Sequence, residues 1–468
     1  MAPGVSSHAS PICWRYGSEA MRAIFLEEGK LRLSLEVEAA LACVQARYGI
    51  IPQEAADDIG EHASLQYVTP EAVFAREQEI QHDVKAMVDL LAAACTGEGR
   101  RFVHYGATSY DIEDNRLSRQ LQAATGMLVE DVRGFGKALA ERAAQYRDLP
   151  AIGRTHGQWA EPITMGFKLA QYVADCIMDY RLLGDFLDRY LVGKPMTGAV
   201  GTAASLVQES GDAQRALQVG RDVMRELGLR PALATTQVVP RKMHAYGLHT
   251  VAQSTATAGR FAQEVWDLQR PEIREVREKP YKQGQVGSSA MPHKAAFGNP
   301  INAENIIGLH RAVRDIAAGE MDNILLHHER DLSNSGNERV TIPATYLLAD
   351  EALWRAASIA RSMEVNESMV RRNLAAASAF TATEPLMLAL TGKGMAREDA
   401  HARLQEAAHR LYLNPDMDPV AAFIADPEIY DRMGEGEVRG IIGSQAAYIG
   451  AAREMTDEIL AVASGTFR

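Results

Sequence analysis

The segment GQVGSSAMPHKAAFGNPINAEN, residues 284–305, combines glycines, two adjacent hydroxyls and a lysine. Its glycines permit backbone conformations that other residues resist, and Ser288 and Ser289 precede Lys294 by six and five residues. A solvated Gly/Ser linker is the simpler interpretation, but linkers seldom carry Met-Pro-His-Lys followed by Asn-Pro and a helix-forming run. The segment therefore predicts a mobile catalytic lid that leads into a helix.

Helix-forming residues dominate long stretches of the chain. Ala, Leu, Glu, Arg, Gln and Met are frequent, while alternating β-branched runs are almost missing, so the sequence predicts an all-α fold. Pro70, Pro162 and Pro300 are expected near helix starts, where a missing N–H does no harm. We expect one helix or a closely broken pair in each of six stretches: 34–48, 70–94, 109–146, 162–191, 244–277 and 300–325.

The long central stretches indicate a helical bundle. A helix of about 33 residues spans roughly 50 Å, which is more than one compact domain covers by itself. Domain boundaries are expected near residues 106–110 and 365–368. The predicted domains are an N-terminal helical domain over residues 1–108, a central long-helix domain over 109–365 that carries most of the site motifs, and a small helical domain over 366–468.

Five segments, in order along the chain, resemble one enzyme superfamily. GSSAMPHK…NP resembles the signature loop of the fumarase/aspartase superfamily, whose members eliminate fumarate from succinyl substrates through a serine base and without a metal. QHDVKAMV, HYGATSYD, GRTHGQWAEPITMGFKLA and TGAVGTAA resemble its adenylosuccinate lyase branch. The resemblance extends over residues 14–348. It implies a three-domain fold whose central long-helix bundle is shared in a homotetramer, with each site built by different subunits.

An elimination of this kind needs a base for a weak C–H acid and an acid for the departing nitrogen. Histidine suits the second task because its ordinary pKa, roughly 6.5, lets it carry and release a proton at neutral pH. A serine is a base only when it is deprotonated, so its alkoxide needs backbone N–H donors and a nearby cation. The resemblance assigns the acid to His156, the base to Ser288 and the cation to Lys294.

After proton loss the β-carboxylate side of the substrate carries extra negative charge, so donors there stabilise the transition state more than the ground state. The resemblance implies a carboxylate cradle that contains Lys294 and the hydroxyl or amide donors Thr108, Ser109, Thr155 and Asn299.

Two further histidines lie in the matching motifs. The resemblance implies that His82 assists near the phosphate side of the substrate and orients the acid, and that His104 contacts the substrate. A lone histidine is more often a hydrogen-bonded structural residue, and Thr-Ser pairs before an aspartate are common helix N-caps. For His82 and His104 the structural interpretation remains an equal alternative.

The segment HERDLSNSGNERVTIPATYLLAD resembles the same branch very closely. Arginine has a planar fork that suits phosphate oxygens, and a hydroxyl adds a further donor. The resemblance implies that the nucleotide phosphate is bound by Arg330, Ser335 and Arg339 together with Arg15 and Tyr16, and that Gln237 contacts the substrate. A solvated charge run would explain residues 329–331, but it would not explain the Arg-Tyr pair far upstream.

Three features depart from the branch. Four residues, 295–298, stand between Lys294 and Asn299 where the family usually has one. Val239-Pro240 replaces a common isoleucine-glutamine pair, and Pro240 removes a backbone donor. The C-terminal part looks more like the carboxymuconate cycloisomerase branch. These departures leave room for a substrate other than a nucleotide.

Composition and charge favour a large soluble enzyme. The chain has 468 residues, 47% of them hydrophobic, and a formal charge of −12, which suits a substantial core and argues against nucleic acid as the main partner. Its four cysteines lack CxxC or CxxH spacing, and the sequence has no run of 18 apolar residues and no charged-then-apolar leader. The prediction is a reduced, cytoplasmic protein that uses neither a metal nor another cofactor and does not bind membranes.

The leading hypothesis is β-elimination of fumarate from adenylosuccinate to give AMP, and from the related succinylaminoimidazole carboxamide ribotide. One alternative is a related lyase or cycloisomerase that acts on a non-nucleotide succinyl or carboxymuconate-type substrate. Another is a non-catalytic protein on the same scaffold, and the intact Ser288, His156 and Lys294 argue against it.

Overall fold

The computed structural model describes residues 10 and 12 and residues 14–279, 288–294 and 298–468. Helices dominate these ranges, which confirms the predicted all-α class. The described chain belongs to two compact units. The first comprises Met1–Arg133, Met178–Gly259 and Asn305–Arg355, and the second comprises Gly134–Ile177, Arg260–Glu304 and Ala356–Arg468. The three-domain division of residues 1–108, 109–365 and 366–468 remains a prediction.

The α-helices vary widely in length, and the boundaries between the two units fall inside five of the longer ones. In chain order they are α1 Glu19–Phe25, α2 Glu27–Arg47, α3 Gln53–His62, α4 Pro70–Ile80, α5 Asp83–Ala94, α6 Ser109–Gln145, α7 Met165–Asp185, α8 Ala204–Ser210, α9 Ala213–Glu226, α10 Lys242–Leu268, α11 Ile301–Gly319, α12 Ser333–Ser362, α13 Glu367–Thr381, α14 Thr383–Gly392, α15 Arg397–Leu413, α16 Pro419–Ile424, α17 Pro427–Gly443 and α18 Ala452–Thr466.

Local capping explains several of the helix starts. Thr69 precedes α4, its hydroxyl accepts a hydrogen bond from the amide of Ala72 at 3.3 Å, and Pro70 occupies the first turn. Gln81, with φ 57°, then separates α4 from α5. The stretch 70–94 is therefore a broken helix pair, as predicted.

Two antiparallel pairs of short strands interrupt the helices of the second unit. Strands β1 (Pro150–Thr155) and β2 (Gln158–Thr164) form a hairpin, and β3 (Val276–Arg277) pairs with β4 (Glu364–Val365).

These strands correct two helix boundaries that the sequence had suggested. Pro162 lies in β2, paired with Ile152, and not at a helix start. The hydroxyl of Thr164 accepts a hydrogen bond from the amide of Phe167 at 3.0 Å, so α7 begins only after Thr164. The predicted helix 244–277 is also too long, because α10 ends at Leu268, just ahead of Pro271.

Each unit has its own apolar core. In the first unit, fully or almost fully buried side chains from several helices meet, including Leu35, Ile59, Leu91 and Val223. In the second unit, α13 to α17 enclose a smaller core that includes Leu386 and Phe423. The segment Glu367–Gly392 is apolar and long enough to cross a membrane by composition alone. It is divided into α13 and α14 and contributes to this core, as core helices of globular proteins commonly do.

Candidate active site

The predicted site residues divide between the two units. The second unit carries the predicted acid, the predicted base and their nearest support: Thr155, His156, Ser288, Lys294 and Asn299. The first unit carries the predicted phosphate ligands and the remaining candidates: Arg15, Tyr16, His82, His104, Thr108, Ser109, Gln237, Arg330, Ser335 and Arg339.

His156 occupies the tip of the β1–β2 hairpin. Thr155 pairs with Gln158, so the loop consists of His156 and Gly157 alone. Their φ angles are 55° and 75°, and positive φ at both central residues defines the type I′ turn that suits the twist of a two-residue hairpin. Glycine adopts this conformation freely, whereas a histidine rarely does, and strained backbone of this kind is often found at functional sites. Thr155 and His156 are both exposed.

A buried ion pair anchors strand β1 close to the hairpin turn. Arg154 donates from both terminal nitrogens to Glu275, at 3.1 and 2.6 Å, and the Glu275 side chain is completely buried. Asn373 donates a further hydrogen bond to the same carboxylate at 2.8 Å. Two parallel charge-assisted bonds define the direction of the arginine as well as its position. The anchor is two residues from His156 and therefore limits the movement of the hairpin tip.

The hydroxyl oxygen of Ser288 accepts two backbone hydrogen bonds. They come from the amides of Ala290 at 3.3 Å and of Met291 at 3.1 Å. Because N–H donors that point at an oxygen stabilise negative charge on it, this turn provides the support that a serine alkoxide requires. The amide of Lys294 bonds to the carbonyl of Met291 at 3.1 Å, and the carbonyl of Lys294 accepts from Gly298 at 2.8 Å.

Both flanks of the signature loop are tied to one buried carboxylate. Glu278 accepts hydrogen bonds from the amide of Ala303 at 2.6 Å and from the side chain of Asn302 at 3.1 Å, at the start of α11. The side chain of Gln269 joins the amide of Glu278, at 2.9 Å, to the carbonyl of Gly298, at 3.0 Å. Burial raises the pKa of Glu278 although these donors oppose the shift.

Of the inserted segment 295–298, the residues 295–297 lie outside the described part of the chain. Asn299 is half-buried and directly precedes Pro300 and α11.

His82 and Ser109, two predicted site residues from different helices, contact each other. The Nδ1 atom of His82 accepts a hydrogen bond from the amide of Lys85 at 3.3 Å and so caps α5. In the neutral ring the proton is then carried by Nε2, which lies 3.4 Å from the hydroxyl of Ser109. Thr108 precedes α6, and its amide donates to the carboxylate of Asp111 at 2.9 Å, which is one of the two bonds of a capping box.

His104 is held by a buried carboxylate. Its Nδ1 lies 2.7 Å from Glu38, whose side chain is only 1% exposed, and its amide donates to the same group at 3.1 Å. Burial alone would lower the pKa of His104, but the Glu38 carboxylate outweighs burial and raises it. With φ 61°, His104 also adopts a left-handed conformation. These contacts suit a charged structural pair as well as a substrate ligand.

The other candidates of the first unit form a connected group around Arg330. Arg330 donates to the side chain of Gln237 at 2.8 Å, and its guanidinium carbon lies 3.6 Å from the ring centroid of Tyr110. Ser335 belongs to this group because it lines the same cavity as Tyr110.

Two further contacts add to this group. Tyr110 directly follows Ser109, which contacts His82, and Asp83, the next residue after His82, lies 3.5 Å from Arg339. We refer to the whole set as the Arg330 cluster: His82, Asp83, Ser109, Tyr110, Gln237, Arg330, Ser335 and Arg339.

A cavity of about 690 Å³ borders this cluster within the first unit. Tyr110, Ser335, Arg339 and Asp83 belong to its wall, together with Arg241. Such a volume is in the ordinary range for small-molecule sites. The cluster therefore has access to space in which a ligand can bind.

Arg15 and Tyr16 are not joined to the cluster by any hydrogen bond or ion pair among the described residues. The guanidinium of Arg15 lies 4.5 Å from the ring of Trp14, and the carbonyl of Tyr16 accepts a hydrogen bond from Arg22 at 3.1 Å. Arg15 is exposed.

Two groups of described residues have the composition of a metal site: Asp58, His62 and Cys95, and His244, Glu320 and Glu338. In both groups, other residues of this chain already bind the carboxylates. Asp58 accepts hydrogen bonds from the amides of Thr96, Gly97 and Gly99. The guanidinium of Arg241 lies 3.1 Å from Glu338 and provides the positive charge that a cation would bring.

Several of these contacting residues were not identified from the sequence. Tyr110, Asp83 and Arg154 each stand within two residues of a predicted site residue, which was the available signal. Glu38 and Glu275 are far from their partners along the chain, by 66 and 121 residues, and carried no such signal.

Comparison with known proteins assigns the chain to a family. Residues 12–314 match the family described as Lyase, and residues 379–459 match the family described as Adenylosuccinate lyase C-terminus. The second match favours the adenylosuccinate lyase branch for the C-terminal part over the carboxymuconate branch suggested by its sequence. Adenylosuccinate lyase from Pyrococcus abyssi is 38% identical over 450 residues, which cover 96% of this chain and 97% of that protein. The Archaeoglobus fulgidus adenylosuccinate lyase is 36% identical over the same coverage.

Solved structures agree with this assignment. Fumarate lyase from Mesorhizobium sp. BNC1 superposes with a TM-score of 0.84 at 26% identity and covers 97% of this chain and 99% of its own. The 3-carboxy-cis,cis-muconate lactonizing enzyme from Pseudomonas putida gives a TM-score of 0.83 at 26% identity, covering 97% and 98%. The chain therefore belongs to the adenylosuccinate lyase family of the fumarase/aspartase superfamily.

Proposed function

We propose that the protein is a fumarate-releasing C–N lyase that converts adenylosuccinate to AMP and acts in the same way on succinylaminoimidazole carboxamide ribotide. The relatives that it matches over 96% of its length are adenylosuccinate lyases. The observation that carries the nucleotide assignment is the Arg330 cluster, which contains two arginines, a serine and a glutamine and of which Ser335 and Arg339 line a cavity. A lyase for a substrate without phosphate has no need of such a group.

Ser288 is proposed as the base. Its oxygen, as the alkoxide, takes the proton from the carbon next to the β-carboxylate, and the electron pair left on that carbon forms the double bond of fumarate as the C–N bond breaks. The two backbone donors to its oxygen support the charged form before the proton is taken. Lys294, six residues further along the same loop, is proposed as the cation that favours the alkoxide.

His156 is proposed as the acid that gives a proton to the leaving nitrogen. Its place at the tip of an exposed turn suits a group that must reach a substrate, and the Arg154–Glu275 anchor limits the positions the tip can take. Thr155, Thr108, Ser109 and Asn299 are proposed as the donors for the substrate carboxylates, and no metal or organic cofactor takes part.

The Arg330 cluster is proposed to bind the phosphate, with Arg15 and Tyr16 as additional ligands and His82 beside the substrate. A homotetramer in which different subunits complete each site is part of this proposal, because the resemblance to the fumarase/aspartase superfamily implies it. Such an assembly would be soluble and cytoplasmic.

A substrate panel tests this function. Purified protein is given adenylosuccinate, the succinylated carboxamide ribotide and 3-carboxymuconate, and fumarate or lactone is measured, with AMP added as a competitor. Release of fumarate from the two nucleotides, inhibited by AMP, is the expected result. Turnover of carboxymuconate alone would contradict the proposal and indicate the related non-nucleotide activity. The similarity to the muconate lactonizing enzyme is the reason for testing that substrate.

A further inference from the structure

Tyr110 contacts Arg330, one of the proposed phosphate ligands, through its aromatic ring. The ring lies beneath the guanidinium of Arg330, 3.6 Å from ring centroid to guanidinium carbon. Tyr110 also lines the same cavity as two further proposed phosphate ligands, Ser335 and Arg339. We propose that Tyr110 is a positioning residue that holds Arg330 ready for the substrate phosphate, an inference that rests on the proposed function.

Arg330 stands on a segment between regular elements and would have many rotamers if it were unsupported. It lies between the 3-10 turn Glu320–Ile324 and the start of α12 at Ser333. Gln237 restrains it at one edge, through a side-chain hydrogen bond of 2.8 Å, and the amide of Gln237 also donates to the carbonyl of Glu329 at 3.2 Å. The ring of Tyr110 restrains the guanidinium face. One edge contact and one face contact together define the plane of the fork, which bidentate phosphate binding requires.

The chemical nature of the support matters as much as its position. A carboxylate would hold Arg330 firmly, but it would occupy the donors and neutralise the charge that the phosphate needs. An aromatic face attracts the guanidinium through its quadrupole and leaves its edge donors free. Arg339 illustrates the contrast, because its guanidinium lies 3.5 Å from the carboxylate of Asp83. Of the two arginines, Arg330 is therefore the better prepared to bind the phosphate, because no carboxylate among the described residues neutralises its charge in the way that Asp83 acts on Arg339.

The test separates the ring from the hydroxyl with two substitutions. Tyr110→Phe keeps the stacking on Arg330, and Tyr110→Leu removes it, while Tyr412→Leu changes an exposed tyrosine of α15 as a control. The KM for adenylosuccinate, kcat and inhibition by AMP, adenosine and fumarate are measured. Loss of a cation–π contact and its ordering effect should raise KM and the AMP inhibition constant about tenfold in Tyr110→Leu. Tyr110→Phe should recover most of that loss.

The phosphate dependence identifies the role. In Tyr110→Leu, inhibition by adenosine and by fumarate and kcat should stay within about threefold of wild type, because those ligands and the chemical step do not use the phosphate ligands. Equal weakening of AMP and adenosine would overturn the inference.

A double-mutant cycle with Arg330→Ala distinguishes an effect of Tyr110 through Arg330 from a general loss of structure. If Tyr110 acts through Arg330, the leucine substitution should add little to the loss of AMP binding already caused by Arg330→Ala, and fully additive losses would contradict the inference. Failure of the proposed function is distinguishable from failure of this inference: the function is wrong if the wild-type protein releases no fumarate from adenylosuccinate.

Discussion

Replacing Arg154 by alanine should destabilise the second unit and slow catalysis together. The substitution leaves the fully buried Glu275 carboxylate without its bidentate partner, whose side chain is 16% exposed. Breaking a buried pair costs about 3–5 kcal/mol. Because Asn373 still donates to Glu275 at 2.8 Å, we expect the lower end, about 3 kcal/mol. For a unit of roughly 200 residues this corresponds to a fall in melting temperature of about 6–12 °C.

The catalytic effect follows from the position of the anchor. His156 has φ 55° two residues after Arg154, and its turn can relax when the anchor is lost. If half of the lost free energy appears as misplacement of the acid, kcat falls about tenfold. Thermal unfolding and steady-state fumarate release measure the two effects.

The double variant Arg154→Ala/Glu275→Gln is the decisive control. Removing the unpaired charge should recover part of the lost stability, because the glutamine is neutral and of similar shape. An unchanged melting temperature in Arg154→Ala, or a further loss in the double variant, would refute the reasoning.

Three other substitutions probe a buried carboxyl group and the space around two glycines. Burial and the Asp350 carboxylate raise the pKa of Asp131 from 3.8 to about 8. Between these two values the folded protein holds a proton that the unfolded chain has lost, so stability falls as the pH rises through this range, and Asp131→Asn should flatten the fall in melting temperature between about pH 4 and about pH 8. An unchanged slope would contradict that pKa. A methyl group on Gly153 would lie 2.6 Å from the carbonyl oxygen of Glu161, whereas on Gly157, with φ +75°, it would meet nothing within 4 Å. Gly153→Ala should therefore lower the melting temperature more than Gly157→Ala, whose cost is about 1–2 kcal/mol of backbone strain, and the reverse order would be inconsistent with this geometry.

Local sequence signals predicted most of the helices. The stretch 109–146 forms α6, and 300–325 forms α11 followed by a 3-10 turn, because propensity and a nearby proline both act within a few residues. The β1–β2 hairpin was missed although Gly157 was visible. Its strands are short and carry Pro162, and the turn places a histidine where asparagine or glycine is usual.

The candidate site residues were predicted from sequence motifs, whereas the residues that hold them in place were found only in the structure. Glu275 meets Arg154 across 121 positions of the chain, and Glu38 meets His104 across 66. Such pairs depend on how helices pack, and a single sequence does not carry that information. Tyr110 is different in kind: it lay inside a recognised motif, but its importance depends on the position of Arg330, 220 residues further along.

The most direct test of the account compares fumarate release from adenylosuccinate by the wild-type protein, Ser288→Ala and the control Ser289→Ala. The account predicts rapid release by the wild type and by Ser289→Ala. In Ser288→Ala it predicts loss of turnover with AMP binding largely retained, because the Ser288 oxygen acts mainly in proton transfer. Full activity in Ser288→Ala would contradict the account and place the base elsewhere.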